Sequence, residues 1–422
     1  MERMGFFNSL IYYIIITGDY MIMQIKKLDY EGRGIAREEN KVIFVPRALI
    51  NEVVKTKVLK KNKSYEIHTI EEIIEKSPQR VESYCPFASK CGGCSYDIIS
   101  YEDSLKYKKE GFKELLTKNH IDISDIQIVP SHPSKNYRNK ITLKVKKSQF
   151  GYYKEESHEF VPIKNCLLAS HCIQNLLKDF SLLGLAEGEV TVRSNKNQEL
   201  LLHLKSEKCP DIKEELINKH KIAGIIWNNQ VIYNNPFFFM RRNKILYKVR
   251  YSSFFQVNEY ISEKIKEAVL KNLNEKDCVL DLYCGVGFFS LPIAKKVEKV
   301  TGIEYNSQAI VDALYNASLN QIQNTTFHAG RVEDILKSIP KSYNVVVLDP
   351  PRAGLDKKVR EILNREKYKK IIYISCNPFT LVRDLKELKS IYQIEQIKLY
   401  DMFAYTKHIE SMTIMTLKKE SR

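Results

Sequence analysis

The sequence predicts an α/β chain in three parts: a small β-barrel, a central α+β region, and a Rossmann-like, doubly wound domain at the carboxy terminus. Three observations predict it. From about Tyr251 onward apolar strand runs alternate regularly with helical stretches, the pattern of a parallel sheet covered on both faces. Between Met23 and Arg80, short β-branched runs are separated by glycine or polar turns. Between the two lies a mixed region opened by a tight group of cysteines. A chain of 422 residues can hold two or three domains with sizeable cores.

Residues 1–22 read as an extension without structure, ahead of Met23. The apolar run Leu10 to Thr17 is well short of the roughly 20 residues of a membrane span. The preceding basic residues are few and no small-residue cleavage site follows, so a secretory signal is not predicted. With no export signal and an odd count of nine cysteines, the protein is expected in the reducing cytoplasm, away from membranes.

Residues 23–80 form the predicted barrel, with strands around Gln24–Leu28 and Lys41–Val45 and a turn at Glu31-Gly32-Arg33-Gly34. Small basic barrels of this OB-like kind often bind RNA. The net charge of +16 and the 25 tyrosines and 18 phenylalanines agree, since cations meet phosphates and rings stack on bases. Residues 81–250 form the central region. It opens with Cys85, Cys91 and Cys94, spaced C-x5-C-x2-C, and Cys166 is a fourth candidate, with Cys172 close behind. Four thiolates suit either zinc or an iron–sulfur cluster, and spacing does not separate the two. It does exclude the C-x3-C-x2-C pattern of radical-methionine enzymes. Tyr101 to His120 is predicted as a helix whose Lys106, Lys108, Lys109 and Lys113 make a basic face.

Residues 251–422 carry the chemistry. The strand Val279 to Leu282 runs into Tyr283-Cys284-Gly285-Val286-Gly287 and then a helix. The third glycine of a dinucleotide fingerprint is missing, and a ligand without a pyrophosphate, such as S-adenosylmethionine, suits the shorter turn better. A second strand ends at Glu304, about 20 residues on, where a carboxylate can accept the two ribose hydroxyls. A third, Val345 to Leu348, ends at Asp349-Pro350-Pro351-Arg352, a turn common where methyltransferases present a planar ring to the donor. A fourth ends at Ser375-Cys376-Asn377-Pro378. An exocyclic amine needs no thiol for methylation. Pyrimidine C5 does, because it becomes nucleophilic only after a thiolate adds at C6. Cys376 therefore points to carbon methylation of a pyrimidine.

With these motifs in order, the chain resembles the RNA uridine-5-methyltransferases, in particular their iron–sulfur-containing 23S ribosomal RNA branch, over residues 23 to 418. The matching stretches also include Tyr137-Arg138-Asn139-Lys140, Phe254-Phe255-Gln256-Val257-Asn258 and His408-Ile409-Glu410. The resemblance implies a TRAM domain at the amino terminus and a [4Fe-4S] cluster on Cys85, Cys91, Cys94 and Cys166. It also implies S-adenosylmethionine held by Gln256, Tyr283, Glu304 and Asp349, Cys376 as nucleophile, and Glu410 as base. Two departures stand out. Phe403-Ala404-Tyr405-Thr406 replaces the family's usual Phe-Pro-His-Thr, and Phe288 replaces a small polar residue after the glycine turn. The expected partner is RNA, 23S ribosomal RNA first and transfer RNA as the alternative, with no protein partner implied and a monomer expected. A cytosine-5 enzyme would carry cysteine where Arg352 stands. An inactive RNA-binding or ribosome-assembly factor would need none of Cys376, Glu410 and Glu304.

Overall fold

The computed structural model describes residues 14–17, 20–38, 41–123, 125–154 and 157–419. The chain divides into two compact units, Met1–His120 with Phe403–His408, and Ile121–Met402 with Ile409–Arg422.

In the first unit a seven-stranded sheet runs in the order Ile14–Thr17, Tyr20–Gln24, Val53–Lys61, Tyr65–Glu75, Lys41–Val45, Gly34–Glu38, Lys27–Leu28. Side-chain alternation sends Met21, Met23, Ile43, Val45 and Val54 to one core, which Ile25, Leu28, Ala36 and Ala48 complete. Gly32 has φ 80°, and a Cβ there would stand 2.6 Å from the Tyr96 ring, so the turn requires glycine twice over. Ile14–Thr17 pairs antiparallel with the next strand, so part of the segment read as an extension without structure is a strand. The physical reason is that a β-branched run finds the open backbone of an edge strand. Residues 1–13 lie outside the described residues.

The cysteine segment and the helix Tyr101–Lys118 belong to this unit. Arg47 donates to Asp97 at 2.7 Å, Arg80 pairs with Glu52, and Tyr107 packs on the sheet core. The buried face of the helix is Ser104, Lys108, Phe112 and Leu116, four residues apart in succession. Lys108 therefore lies on the packed face and not on the expected basic one. Its Nζ donates to the carbonyls of Phe403 and His408, both at 3.1 Å. Lys106 and Lys113 are exposed.

The second unit holds an eight-stranded sheet in the order Thr325–Ala329, Lys299–Glu304, Cys278–Leu282, Val345–Leu348, Lys370–Ser375, Glu410–Leu417, Tyr392–Tyr400, Gln127–Val129. The first five strands are parallel and Glu410–Leu417 is antiparallel to its neighbours. All four residues of Val345–Leu348 are buried, as in a strand covered on both faces. The order reverses between Cys278–Leu282 and Val345–Leu348, where open α/β sheets leave a ligand crevice at the carboxyl ends. A further seven-stranded sheet spans Lys140 to Asn234. A hairpin of Phe237–Arg242 and Ile245–Arg250 follows, its backbone bound by Asn316 and Asn320 of the helix Ser307–Leu319 and its end. Among the described residues no helix is long and apolar enough to cross a membrane.

Candidate active site

The first turn after Cys278–Leu282 is held by backbone. The N–H groups of Tyr283 and Cys284 donate to Ile303 O at 2.8 and 3.1 Å. Tyr283 has φ 67°, an uncommon conformation for a bulky side chain and one that gathers at ligand sites. Gly285 has φ 54°, and nothing lies within 4 Å of where its Cβ would be, so the space over the turn is open. Glu304, at the end of the neighbouring strand, accepts from Gly285 N at 3.2 Å and Asn306 N at 2.9 Å. Gln256 is buried, and its carbonyl accepts from Asn139 at 3.1 Å.

Across the switch point the site is acidic and dry. Asp281 is fully buried, and its carboxyl is pushed up to about 7 by burial, with Glu304 adding and Ser290 opposing. Its Oδ1 has no hydrogen-bond partner, an acceptor left for a donor the protein does not supply. Burial, and then the charge of Asp281, raises Asp349 as well.

Ser375 pairs with Ser411. One step beyond that pair stand Cys376, just past the end of its strand, and Glu410, the first residue of the other. Burial raises the Cys376 thiol first and the charges of Glu410 and Asp349 raise it further, to about 12, with Arg352 opposing. Burial and Asp349 hold Glu410 well above the usual carboxylate range. These three groups therefore sense one another's charge. Asn377 caps the helix Pro378–Leu388, and its Nδ2 donates to Arg352 O at 2.9 Å, tying the Asp349 turn to the Cys376 turn.

The sequence profile of the tRNA (Uracil-5-)-methyltransferase family matches residues 191–419, which span this whole constellation. An RNA methyltransferase of Aquifex aeolicus, itself described as uncharacterized, is 33% identical over 421 residues, covering 94% of this chain and 98% of the relative. The chain belongs to the tRNA (uracil-5-)-methyltransferase family. A Clostridium acetobutylicum relative, also described as an uncharacterized RNA methyltransferase, is 33% identical over 433 residues, with 91% and 94% of the two chains covered. Among solved structures, the tRNA (uracil-54, C5)-methyltransferase of Pyrococcus abyssi, in complex with S-adenosyl-L-homocysteine, matches with a TM-score of 0.76 and 26% identity. That match covers 93% of this chain and 98% of the other.

In this methyltransferase both departures from the family pattern have a packing role. Phe288 is buried against Tyr247, Phe255 and Phe289. Tyr405 packs against the rings of Tyr84 and Tyr101, and its carbonyl accepts from Ser95 N and Tyr96 N, both at 3.0 Å. Sequence reasoning missed Asp281 as a candidate site residue, although a carboxylate inside an apolar strand run was the available signal. It also missed the exposed rings of Tyr305, directly beyond a strand end, and Phe379, in the first turn of the helix Pro378–Leu388.

Cys85, Cys91 and Cys94 lie in the first unit and Cys166 in the second. All four are partly exposed, and Tyr84 OH stands 3.7 Å from Cys94 Sγ. Their thiol chemistry suits a metal cluster. Among the described residues, however, no group of three or more His, Cys, Asp or Glu side chains is gathered to hold a metal ion.

Proposed function

We propose that the protein transfers a methyl group from S-adenosyl-L-methionine to C5 of a specific uridine in 23S ribosomal RNA. The observation that carries this reading is the Ser375–Ser411 register, with Cys376 and Glu410 one step beyond it and both electrostatically tied to Asp349. A nitrogen methyltransferase has no use for a thiol facing a buried carboxyl. S-adenosylmethionine supplies a methyl group bound to a sulfonium, which leaves as a thioether. The residues suit it: the open turn at Gly285, the unpartnered Asp281 Oδ1 and a raised Asp349 are acceptors in want of a cation and hydroxyl donors. Gln256, Tyr283, Glu304 and Asp349 would hold it, with Glu304 taking the ribose hydroxyls.

The Cys376 thiolate adds to C6 of the uridine, and the C5=C6 electrons move toward O4. C5 then takes the methyl group. The Glu410 carboxylate removes the C5 proton, the double bond re-forms, and the C6–S bond breaks to release the thiolate. Burial, with the charge of Asp349, pushes both groups toward their neutral forms. With S-adenosylmethionine held by Asp349, its positive charge would favour their charged forms. The uridine must be unpaired or extruded from a stack, and the exposed Phe254, Tyr305 and Phe379 offer rings for bases.

The test compares two variants with isotope-labelled methyl donor and RNA. Cys376→Ala forms neither product nor adduct, whereas Glu410→Gln forms a methylated adduct that survives denaturation. Appreciable methylation by Cys376→Ala would return a nitrogen target to the lead. Transfer RNA is the second reading, favoured by the substrate of the Pyrococcus abyssi protein. Mapping 5-methyluridine in both RNAs from a deletion strain decides between them. We further propose Cys85, Cys91, Cys94 and Cys166 as ligands of a [4Fe-4S] cluster, supported by the spacing of the first three and by the thiolate chemistry of all four. No bond made or broken in the methyl transfer requires it.

A further inference from the structure

The loop that follows Asp349-Pro350-Pro351 has no helix or strand of its own, and the helix Pro378–Leu388 holds it. Asn377, Thr380 and Asp384 recur at i, i+3 and i+7, so they share one face of that helix, with Arg383 at its border. Thr380 Oγ1 donates to Arg352 O at 3.2 Å, joining the bond from Asn377. Arg383 Nη2 donates to Ala353 O and Leu355 O, both at 3.0 Å. Asp384 is fully buried and accepts from Leu355 N at 2.9 Å and from Tyr373 OH at 2.7 Å. Tyr373 lies on the strand that runs into Cys376. Two cations complete this hub: Arg383 Nε at 2.9 Å and Arg360 Nη1 at 3.2 Å, both on Asp384 Oδ1. The fit is close, since a Cβ at Gly354 would stand 2.7 Å from both Arg383 Nη2 and Asp384 Oδ2.

These bonds hold a charge that bears on the thiol. Burial raises Cys376 most, the charges of Glu410 and Asp349 add to it, and that of Arg352 opposes them. The two ends of the turn are anchored differently. Asp349 directly follows a fully buried strand, and its N–H donates to Leu282 O at 3.3 Å. Arg352 is exposed, and its carbonyl is gripped by Asn377 and Thr380, with Arg383 on the next carbonyl. Loosening that grip therefore lets the opposing cation move while the carboxylate stays. The buried Asp384 carboxylate would be costly alone, and it is satisfied only with loop, strand and both arginines in place. That favours one arrangement of the loop over several. The guanidinium of Arg383 spans two carbonyls with one edge and a carboxylate with the other, a reach that a lysine amine does not match.

We propose that Arg383, braced by Asp384 and assisted by Thr380, is a positioning residue that holds Arg352 beside the Cys376 turn. The proposal rests on the reading of Cys376 as nucleophile. The full chain, without RNA, is treated with iodoacetamide between about pH 7 and pH 9, and alkylation of Cys376 is followed on its own peptide by mass spectrometry. Arg383→Met should slow that alkylation by roughly tenfold at each pH, the effect of one unit in a thiol's pKa. Arg383→Lys should restore only part of it. Arg352→Gln should slow it to a similar extent, and adding Arg383→Met to Arg352→Gln should slow it no further, because the grip then holds no charge. Thr380→Val removes one hydroxyl and keeps the shape, and it gives the same comparison with a smaller effect should Arg383→Met fail to fold. Alkylation unchanged or faster in the gripping variants, whatever their melting temperature, would leave a structural role alone and overturn the proposal. An undiminished further slowing in the Arg352→Gln background would overturn it too. Methylation by Cys376→Ala, measured separately, tests the nucleophile itself, so the two failures are distinguishable.

Discussion

Lys108→Met removes a buried amine and keeps its length. The lysine donates to Phe403 O and His408 O, both at 3.1 Å, and the second carbonyl lies two residues before Glu410. Phe403–His408 packs with the first unit, while Glu410 opens a strand of the second, so the chain entering that strand is held by Lys108. Hydrogen bonds to a charged donor contribute about 1.5–3 kcal/mol each, and a stranded buried carbonyl costs about 1–3 kcal/mol. Relief of the cost of burying the ammonium offsets part of this, leaving roughly 3 kcal/mol, or on the order of a hundredfold in local opening. Hydrogen exchange at residues 403–408 should therefore speed up by about that factor, and single-turnover methylation should slow by roughly tenfold or more. S-adenosylmethionine affinity should hold, because its assigned residues are elsewhere in the fold. Unchanged exchange together with unchanged turnover would refute the reasoning. Faster exchange with normal turnover would show that the proposed base, Glu410, does not depend on this grip.

Four further outcomes follow from the charges and thiols. Asp281 titrates near 7 in the fold against an ordinary 3.8, so its contribution to stability is full below the unfolded value and lost as pH rises through the folded one. The melting temperature should fall from about pH 5 to pH 8, and Asp281→Asn should flatten that fall; an unchanged slope would assign it to other groups. Binding of S-adenosylmethionine near neutral pH should release protons, since a cation favours ionised Asp349, and calorimetry in buffers of different ionisation enthalpy reads this directly. Lys106→Glu with Lys113→Glu should weaken RNA binding and flatten its dependence on salt, whereas a slope equal to wild type would remove this helix from the RNA surface. Anaerobically purified protein should be brown, and Cys91→Ser should bleach it; a colourless protein with one zinc would keep the ligands and change the metal.

The α/β domain was legible because its signals are local. Apolar runs ending in Asp281-Leu282-Tyr283-Cys284-Gly285, Glu304, Asp349-Pro350-Pro351 and Ser375-Cys376 are strand ends, and topology sends the parallel ends to one edge whatever surrounds them. Even Glu410, a charge near the carboxy terminus, was singled out through its motif. What sets it beside the Cys376 turn is the antiparallel register of Ser375 with Ser411, a long-range pairing that no window of sequence contains. Lys108 shows the same limit from the other side. A lysine reads as solvated until packing gives its face of a helix to a neighbour, and only then does its amine find two carbonyls. The edge strand Gln127–Val129, far from the domain it completes, and the pairing of Ile14–Thr17 were likewise decided by open edges elsewhere in the fold. Local sequence determines strand ends, turns and chemical types; which of them share a dry space is a property of the whole chain, because burial and charge coupling act through space and not along it.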